Sequence, residues 1–235
     1  MKITGKIHIL FEQSGTFKGA FAQLGYNAID YDYCNDYNQT DVVCDIFREL
    51  ENAELHKPSI FSNFKTNDLI LAFFPCTYFS CQSQLSFFFN SAQHRNLNPA
   101  LRWDYIFARV EKRNRYYSYL LRLFRFCHLR GLRLIVENPW SSFTFLKNNL
   151  PFIPSWIDNN RSTSGDNFRN PTAYWFINCK PHHLQSFQPV DPVAVESVHG
   201  FERSIITLDY AHNFICDKIL GISSGKFQQL DLFEQ

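Results

Sequence analysis

The sequence is poor in glycine, and its cysteines follow no pattern. Only nine glycines occur in 235 residues, and none belongs to a Gly-x-Gly-x-x-Gly run. There is no Cys-x-x-Cys pair, and His182-His183 has no third ligand at a useful spacing, so we predict no metal site. Seven scattered cysteines fit reduced thiols better than a disulfide framework.

The sequence also has no long apolar run and almost no net charge. No run approaches the about 20 residues that a membrane-spanning helix needs, and Met1 is followed almost directly by a predicted strand rather than by a signal peptide. The formal charge of +1 excludes a generally polycationic protein. Hydrophobic residues make up 45% of the chain, which excludes a disordered one. We therefore expect a soluble cytoplasmic protein that does not enter a membrane.

Apolar runs and glycine stops predict an α/β fold, with a mostly parallel central sheet and helices on both faces. The predicted strands cover residues 6–10, 27–33, 69–73 and 132–136, with a short strand or turn at 42–46. The predicted helices cover residues 16–24, 48–55, 100–130 and 204–220. Residues 1–222 are expected to form one catalytic domain, with an irregular segment at about 151–202. Residues 223–235 are expected to be a flexible tail.

Two predicted strands end in groups that can do chemistry. Cys76 follows the strand at 69–73, and Glu137 follows the strand at 132–136. The carboxyl ends of parallel strands are where open α/β sheets place their sites. A thiol is a strong nucleophile once it is ionised, and a buried carboxyl can carry a proton at neutral pH. A lone cysteine after a strand is more often a core residue, so the pairing with Glu137 carries the argument.

The first strand, turn and helix are suited to a cofactor. Gly15 lets the backbone approach a ligand, and the helix that follows offers free N–H groups. Asp32 (or Asp30), at the end of the second strand, occupies the position that usually grips a ribose. An ordinary strand-to-helix turn remains an equally good interpretation of this segment alone.

In combination, these elements resemble the DNA cytosine-5 methyltransferase family. The resemblance rests on Phe11-x-x-x-Gly15-x-Phe17, Asp32, Asp45-Ile46, Pro75-Cys76-x-x-Phe79-Ser80 and Glu137-Asn138, in that order. It implies a Rossmann-like methyltransferase fold and S-adenosylmethionine as cofactor. The implied cofactor-binding residues are Phe11, Gly15, Phe17, Asp32, Asp45, Ile46 and Pro75. It also implies catalysis by Cys76, Glu137 and Asn138, with Cys76 adding to C6 of cytosine while Glu137 holds N3, and a bacterial or phage-infected cell as the location.

The sequence also departs from that family. Gln13 and Thr16 stand where the family usually has glycines, and no Gln-x-Arg-x-Arg segment or full target-recognition domain is present. The alternatives are a weak or inactive relative that acts as an adaptor for nucleic acid or a replication protein, and a methyltransferase of RNA or free nucleotides.

Candidate DNA contacts lie near the predicted site. Residues 102–133 carry nine arginines and lysines interleaved with tyrosines, a composition suited to phosphates. A solvated helix with long basic side chains is the competing interpretation. The nucleic-acid-binding residues we predict are Ser80, Arg113, Arg115, Arg161 and Arg169, where Arg161 or Arg169 replaces the missing arginine motif.

The tail contains a short apolar motif. The run Gln229-Leu230-Asp231-Leu232-Phe233 resembles the peptide by which bacterial replication proteins bind the sliding clamp. An extended, tethered segment of this kind can place its apolar side chains in a groove of a partner. Packing of the tail on the body of the protein is the alternative.

Overall fold

One seven-stranded sheet organises the α/β fold of residues 1–193 and 205–223, which are the residues described by a computed structural model. Its strands are β1 (Ile7–Leu10), β2 (Ala28–Asp32), β3 (Val42–Val43), β4 (Leu69–Phe73), β5 (Arg133–Pro139), β6 (Trp156–Asp158) and β7 (Thr172–Ile177). They lie side by side in the order β3-β2-β1-β4-β5-β7-β6. Every neighbouring pair is parallel except the two that include β7. The predicted α/β class and mostly parallel sheet are confirmed.

Helices connect most of these strands. The α-helices are α1 (Thr16–Gln23), α2 (Ile46–Glu54), α3 (Cys81–Gln84), α4 (Pro99–Leu129), α5 (Phe145–Asn149) and α6 (Leu208–Phe214). Three short 3₁₀ helices cover Ile60–Asn63, Leu85–Phe87 and Arg161–Thr163, and a π-helix, Ile215–Leu220, continues α6. Helix α4 begins where Asn98 accepts a hydrogen bond from the Leu101 N–H and proline takes the first helical position.

Both faces of the sheet are covered, because alternate strand residues point in opposite directions. On one face, Ile70 and Ala72 of β4 join an apolar cluster with residues of α2 and α4. On the other face, Leu69 and Leu71 join a cluster with residues of α1 and α6. This two-sided burial explains why β4 is a continuous apolar run rather than an alternating one.

The order of the strands creates a crevice at one edge of the sheet. The chain passes from β1 outward to β2 and β3, and then returns to the other side of β1 with β4. The loops that leave β1 and β4 therefore diverge at the carboxyl ends of these strands. Such a switch point is where open α/β sheets bind their ligands.

Several predicted boundaries are wrong. The segment predicted as irregular at 151–202 contains β6 and β7, which extend the sheet beyond β5. Glu137 lies inside β5 rather than after it, and Ile46 begins α2 rather than ending a strand. The predicted helix at 204–220 is, from Leu208 onward, an α-helix followed by a π-helix.

The predicted clamp-binding residues, Gln229, Leu230, Asp231, Leu232 and Phe233, lie outside the described residues. Within residues 1–193 and 205–223, no helix is both long enough and apolar enough to cross a membrane.

Candidate active site

A cavity of about 1000 Å³ opens at the crevice and extends along the carboxyl ends of four adjacent strands. Its wall includes Asp32 at the end of β2, Glu12 after β1, Cys76 after β4 and Glu137 in β5. The two groups singled out as the catalytic pair, Cys76 and Glu137, thus share one cavity, as the sequence predicted.

The backbone around Cys76 is held firmly. Phe73 pairs with Glu137 in the register of β4 and β5, so the chain leaves β4 beside the carboxyl. The carbonyl of Cys76 accepts hydrogen bonds from the N–H groups of Phe79 and Ser80, at 2.9 and 3.1 Å. Burial, followed by the charge of Glu137, raises the pKa of the Cys76 thiol to about 11. Cys76 therefore carries its proton at neutral pH until a ligand changes its surroundings.

Glu137 is buried, and its carboxyl is about half protonated near pH 7. Burial raises the pKa of its carboxyl to about 7, while the charge of Arg161 and the hydroxyl of Thr172 act in the opposite direction. Arg161 is itself buried, lines the cavity and forms an ion pair with Asp166. The Arg161 guanidinium lies 5.3 Å from the centre of the Tyr210 ring. A carboxyl in this state can both give and accept a proton at pH 7.

Asn138 has a structural role rather than the catalytic one predicted. Its side chain is fully buried and is absent from the cavity wall. The Asn138 amide donates a 2.7 Å hydrogen bond to the carbonyl of Phe74, two residues before Cys76. Asn138 thereby fixes the turn that presents the thiol, and it is a positioning residue.

The residues that line the cavity after β1 and β2 are aromatic and acidic. Phe11, Asp32, Asp45, Ile46 and Pro75, all predicted cofactor residues, line it. Asp45 also has a structural role, because its carboxylate accepts hydrogen bonds from the backbone N–H groups of residues 47 and 48 and caps α2. Burial raises the pKa of Asp32, whose carboxylate accepts a hydrogen bond from the N–H of residue 34.

The prediction for Gly15 and Phe17 is not supported at the level of direct contact, since neither lines the cavity. Gly15 has φ 68°, which explains the glycine, because a side chain is strained in this conformation. Phe17 is completely buried, with its ring centre 4.6 Å from that of Phe73. Its aromatic character serves the core between α1 and the sheet.

The predicted nucleic-acid contacts separate into two groups. Ser80, Arg115 and Arg161 line the cavity, whereas Arg113 and Arg169 do not. The Arg113 guanidinium stacks 4.2 Å from the centre of the Phe87 ring, and the exposed Arg169 contributes its carbonyl to the Arg161 N–H at 2.9 Å.

Sequence reasoning missed several residues of the site. Phe47 lines the cavity and stacks on Tyr119 at 4.3 Å between ring centres, and Trp140 and Thr172 line the opposite end. Cys81 is exposed and also lines the cavity. Glu12 is the most informative omission. The sequence carried one signal for it, a charged residue immediately after an apolar strand.

Two comparisons of the chain with known proteins find no relative. No protein-family model matches the chain. No curated protein is found to match it either. In the part of the chain that the structure describes, no group of three or more His, Cys, Asp or Glu residues is arranged to hold a metal ion.

Proposed function

We propose that this chain transfers a methyl group from S-adenosylmethionine to C5 of cytosine in DNA through a covalent Cys76 adduct. The observation that carries the proposal is the cavity that Cys76 and Glu137 share with five of the predicted cofactor residues, Phe11, Asp32, Asp45, Ile46 and Pro75. A seven-stranded, mostly parallel sheet is also the type of sheet that the resemblance to cytosine-5 methyltransferases implies.

The residues present fit the cofactor. A cavity of about 1000 Å³ has room for a nucleoside with an amino-acid arm beside a pyrimidine ring. Phe11 and Phe47 offer aromatic faces to the adenine, and Asp32 lies where a ribose hydroxyl is usually gripped. When bound, S-adenosylmethionine supplies an electrophilic methyl group.

Cys76 and Glu137 act as a proton-coupled pair in this proposal. Addition of the Cys76 sulfur to C6 requires loss of the thiol proton, and the cytosine N3 requires a proton to accept the negative charge. The Glu137 carboxylate takes up one proton and passes one to N3, so charge is conserved. After methylation of C5, loss of the C5 proton to water expels the sulfur as a thiolate, and N3 returns its proton to Glu137. Splitting the reaction in this way lowers its barrier.

A cavity of about 1000 Å³ is too small for an intact duplex, so a paired cytosine would have to leave the base stack to reach Cys76. Glu137 and Arg161 line this cavity, are buried and are suited to the polar edge of one base.

The direct test is mass spectrometry of nucleosides from DNA incubated with the protein and S-adenosylmethionine. We expect 5-methylcytosine from the wild type and none above background from Cys76→Ser, because serine is too weak an acid to add to C6. Cys179→Ser is the matched control, since Cys179 is another half-buried thiol that does not line the cavity. Equal methylation by Cys76→Ser and wild type would refute the covalent mechanism.

A further inference from the structure

Glu12 is a buried carboxyl with one oxygen held and the other without a partner. Its Oε1 accepts a 2.8 Å hydrogen bond from the Phe17 N–H and a 3.3 Å bond from the Ser14 hydroxyl. Among the described residues, its buried Oε2 has no hydrogen-bond partner, and Glu12 is 6% exposed. The N–H groups of Phe17 and Lys18 lower the pKa of this carboxyl. Because leaving a buried charged atom unpaired is unfavourable, a ligand in the cavity that Glu12 lines would supply the missing partner.

The position of Glu12 on the sheet edge indicates what that partner is. The strand order β2-β1-β4 places Glu12 between Asp32 and Cys76. If Asp32 grips the ribose and Cys76 meets the pyrimidine, the arm that joins the nucleoside to the transferred methyl crosses the end of β1. The sulfonium lies on that path, and the methionyl branch that leaves the sulfonium ends in an α-ammonium and an α-carboxylate.

We propose that Glu12 is the anionic subsite for the cationic methionyl end of S-adenosylmethionine. This inference rests on the proposed function and adds to it a residue that selects the cofactor by charge. The backbone supports a fixed position, because Phe11 adopts φ 63° and turns the chain inward immediately before Glu12. Burial raises the pKa of Glu12 to about 7, so a bound cation also favours release of its proton.

The test compares three adenosine compounds by calorimetry at pH 8. S-adenosylmethionine carries both cations, S-adenosylhomocysteine carries only the ammonium, and methylthioadenosine carries neither. We expect Glu12→Gln to weaken binding of S-adenosylmethionine by about 10- to 100-fold and to leave methylthioadenosine unchanged, since an ionic hydrogen bond is lost. A loss confined to S-adenosylmethionine identifies the sulfonium, and a loss shared with S-adenosylhomocysteine identifies the ammonium.

Other outcomes overturn the inference. Equal weakening of all three compounds would mean that Glu12 only supports the turn, and unchanged binding would mean that it meets no cation. A wild type that binds none of the three would refute the proposed function as well, which distinguishes the two failures. If Glu12→Gln does not fold, the Glu137→Gln variant decides, because it removes the other carboxyl of the cavity wall whose pKa is raised to about 7. Its affinity for S-adenosylmethionine, but not for methylthioadenosine, must increase as the pH rises through about 7.

A second surface carries an independent inference. Apolar side chains project from α4 and the turn before it, with Phe88, Trp103 and Phe107 each more than half exposed. The ring centres of Trp103 and Phe107 are 5.9 Å apart. An exposed patch of large aromatic rings on a protein of this size indicates a binding partner.

Arginines lie among these rings. The guanidinium of Arg102 is 5.3 Å from the centre of the Phe89 ring, and that of Arg109 is 5.2 Å from the centre of the Tyr78 ring. Residues 95–115 contain six arginines and lysines against Asp104 and Glu111. Tyr78 precedes Ser80 of the cavity wall, so the surface continues to the cavity.

We infer that this aromatic and basic surface binds single-stranded DNA next to the active site. Exposed rings stack on unpaired bases, and arginines contact both bases and phosphates. Bases inside a duplex are hidden from such rings. An unpaired substrate also needs no base flipping and no separate reader of duplex sequence.

Fluorescence anisotropy with a labelled oligonucleotide, free or annealed to its complement, tests this inference. We expect wild type to prefer the single strand, and Trp103→Ala with Phe107→Ala to weaken single-strand binding by tenfold or more. Phe187→Ala is the control, because Phe187 is equally exposed elsewhere. Equal affinity for both forms, or an unaffected double variant, would overturn the inference. So would a dimer in sedimentation that the double variant abolishes, because the surface would then be a contact between copies.

Discussion

Replacing Glu137 with glutamine should make the protein inactive and, at alkaline pH, more stable. Glutamine keeps the size of the side chain but never ionises. Glu137 is buried, and burial raises its pKa from 4.5 to about 7 in the folded protein. The folded state therefore holds a proton that the unfolded state has already lost between these two values.

The direction and size of the effect follow from this difference. Because the folded protein binds the additional proton, stability is fully present below pH 4.5 and is lost as the pH rises through about 7. The loss corresponds to about 3 kcal/mol. The Glu137→Gln variant does not lose this stability, because glutamine does not ionise. For a chain of this length, the midpoint of thermal unfolding should gain roughly 6–12 °C relative to wild type on moving from pH 5 to pH 8.5.

Thermal and urea unfolding of wild type and Glu137→Gln at pH 5 and pH 8.5 would measure this gain. Glu12 contributes the same pH dependence to both proteins and cancels in the comparison. Glu111→Gln is the control, since Glu111 is exposed on α4. A stability difference between Glu137→Gln and wild type that is the same at both pH values would refute the reasoning. Methyl transfer should fall by about 10²- to 10⁴-fold in the same variant.

Three further predictions concern the proton pair, the turn at the thiol and the tail. The kcat/KM for methyl transfer should rise through pH 7 and level off well below pH 11, because a Glu137 carboxylate and a Cys76 thiol coexist between these two pKa values. A pH–rate profile that is flat from pH 5.5 to 8 would contradict this prediction. Asn138→Ala should destabilise the protein by about 1–3 kcal/mol in urea unfolding, since the buried Phe74 carbonyl loses its donor, and an unchanged unfolding midpoint would oppose the positioning role. Leu232→Ala with Phe233→Ala should abolish capture by a purified bacterial sliding clamp, and equal capture of variant and wild type would dismiss the docking peptide.

The sequence was most informative where a local rule acted alone. The apolar run of β4 ends at Pro75, and the structure ends the strand at Phe73. Helix α1 ends at Gln23, shortly before Gly25, whose φ of 80° explains the stop. These boundaries depend on burial, proline and glycine, all of which are visible without the fold.

Strand β7 shows where the composition of a longer segment, residues 151–202, led to a wrong prediction. Its residues, Thr172–Ile177, are rich in the β-branched and aromatic types that favour strands, and they stand between a proline and an asparagine. The surrounding Asn, Ser and Pro residues concealed this run. Phe17 shows a different error. It was predicted to bind the cofactor because it lies next to the turn, but an aromatic residue at this position can equally belong to the core beneath the turn.

The electrostatics of the site could not be predicted from the sequence, because they depend on which charges are brought together. Among the described residues, four acids, Glu12, Asp32, Asp45 and Glu137, line one cavity, and the arginines in its wall are Arg115 and Arg161. An interior with more acids than bases repels phosphates and attracts cations. In the proposed function, the backbone of the nucleic acid therefore stays at the exposed side of the cavity, near Arg115, and only an uncharged base enters. The same excess of acids would favour the proposed cationic methyl donor over its neutral sulfide product, so the arrangement that excludes phosphates would also assist exchange of the cofactor after each transfer.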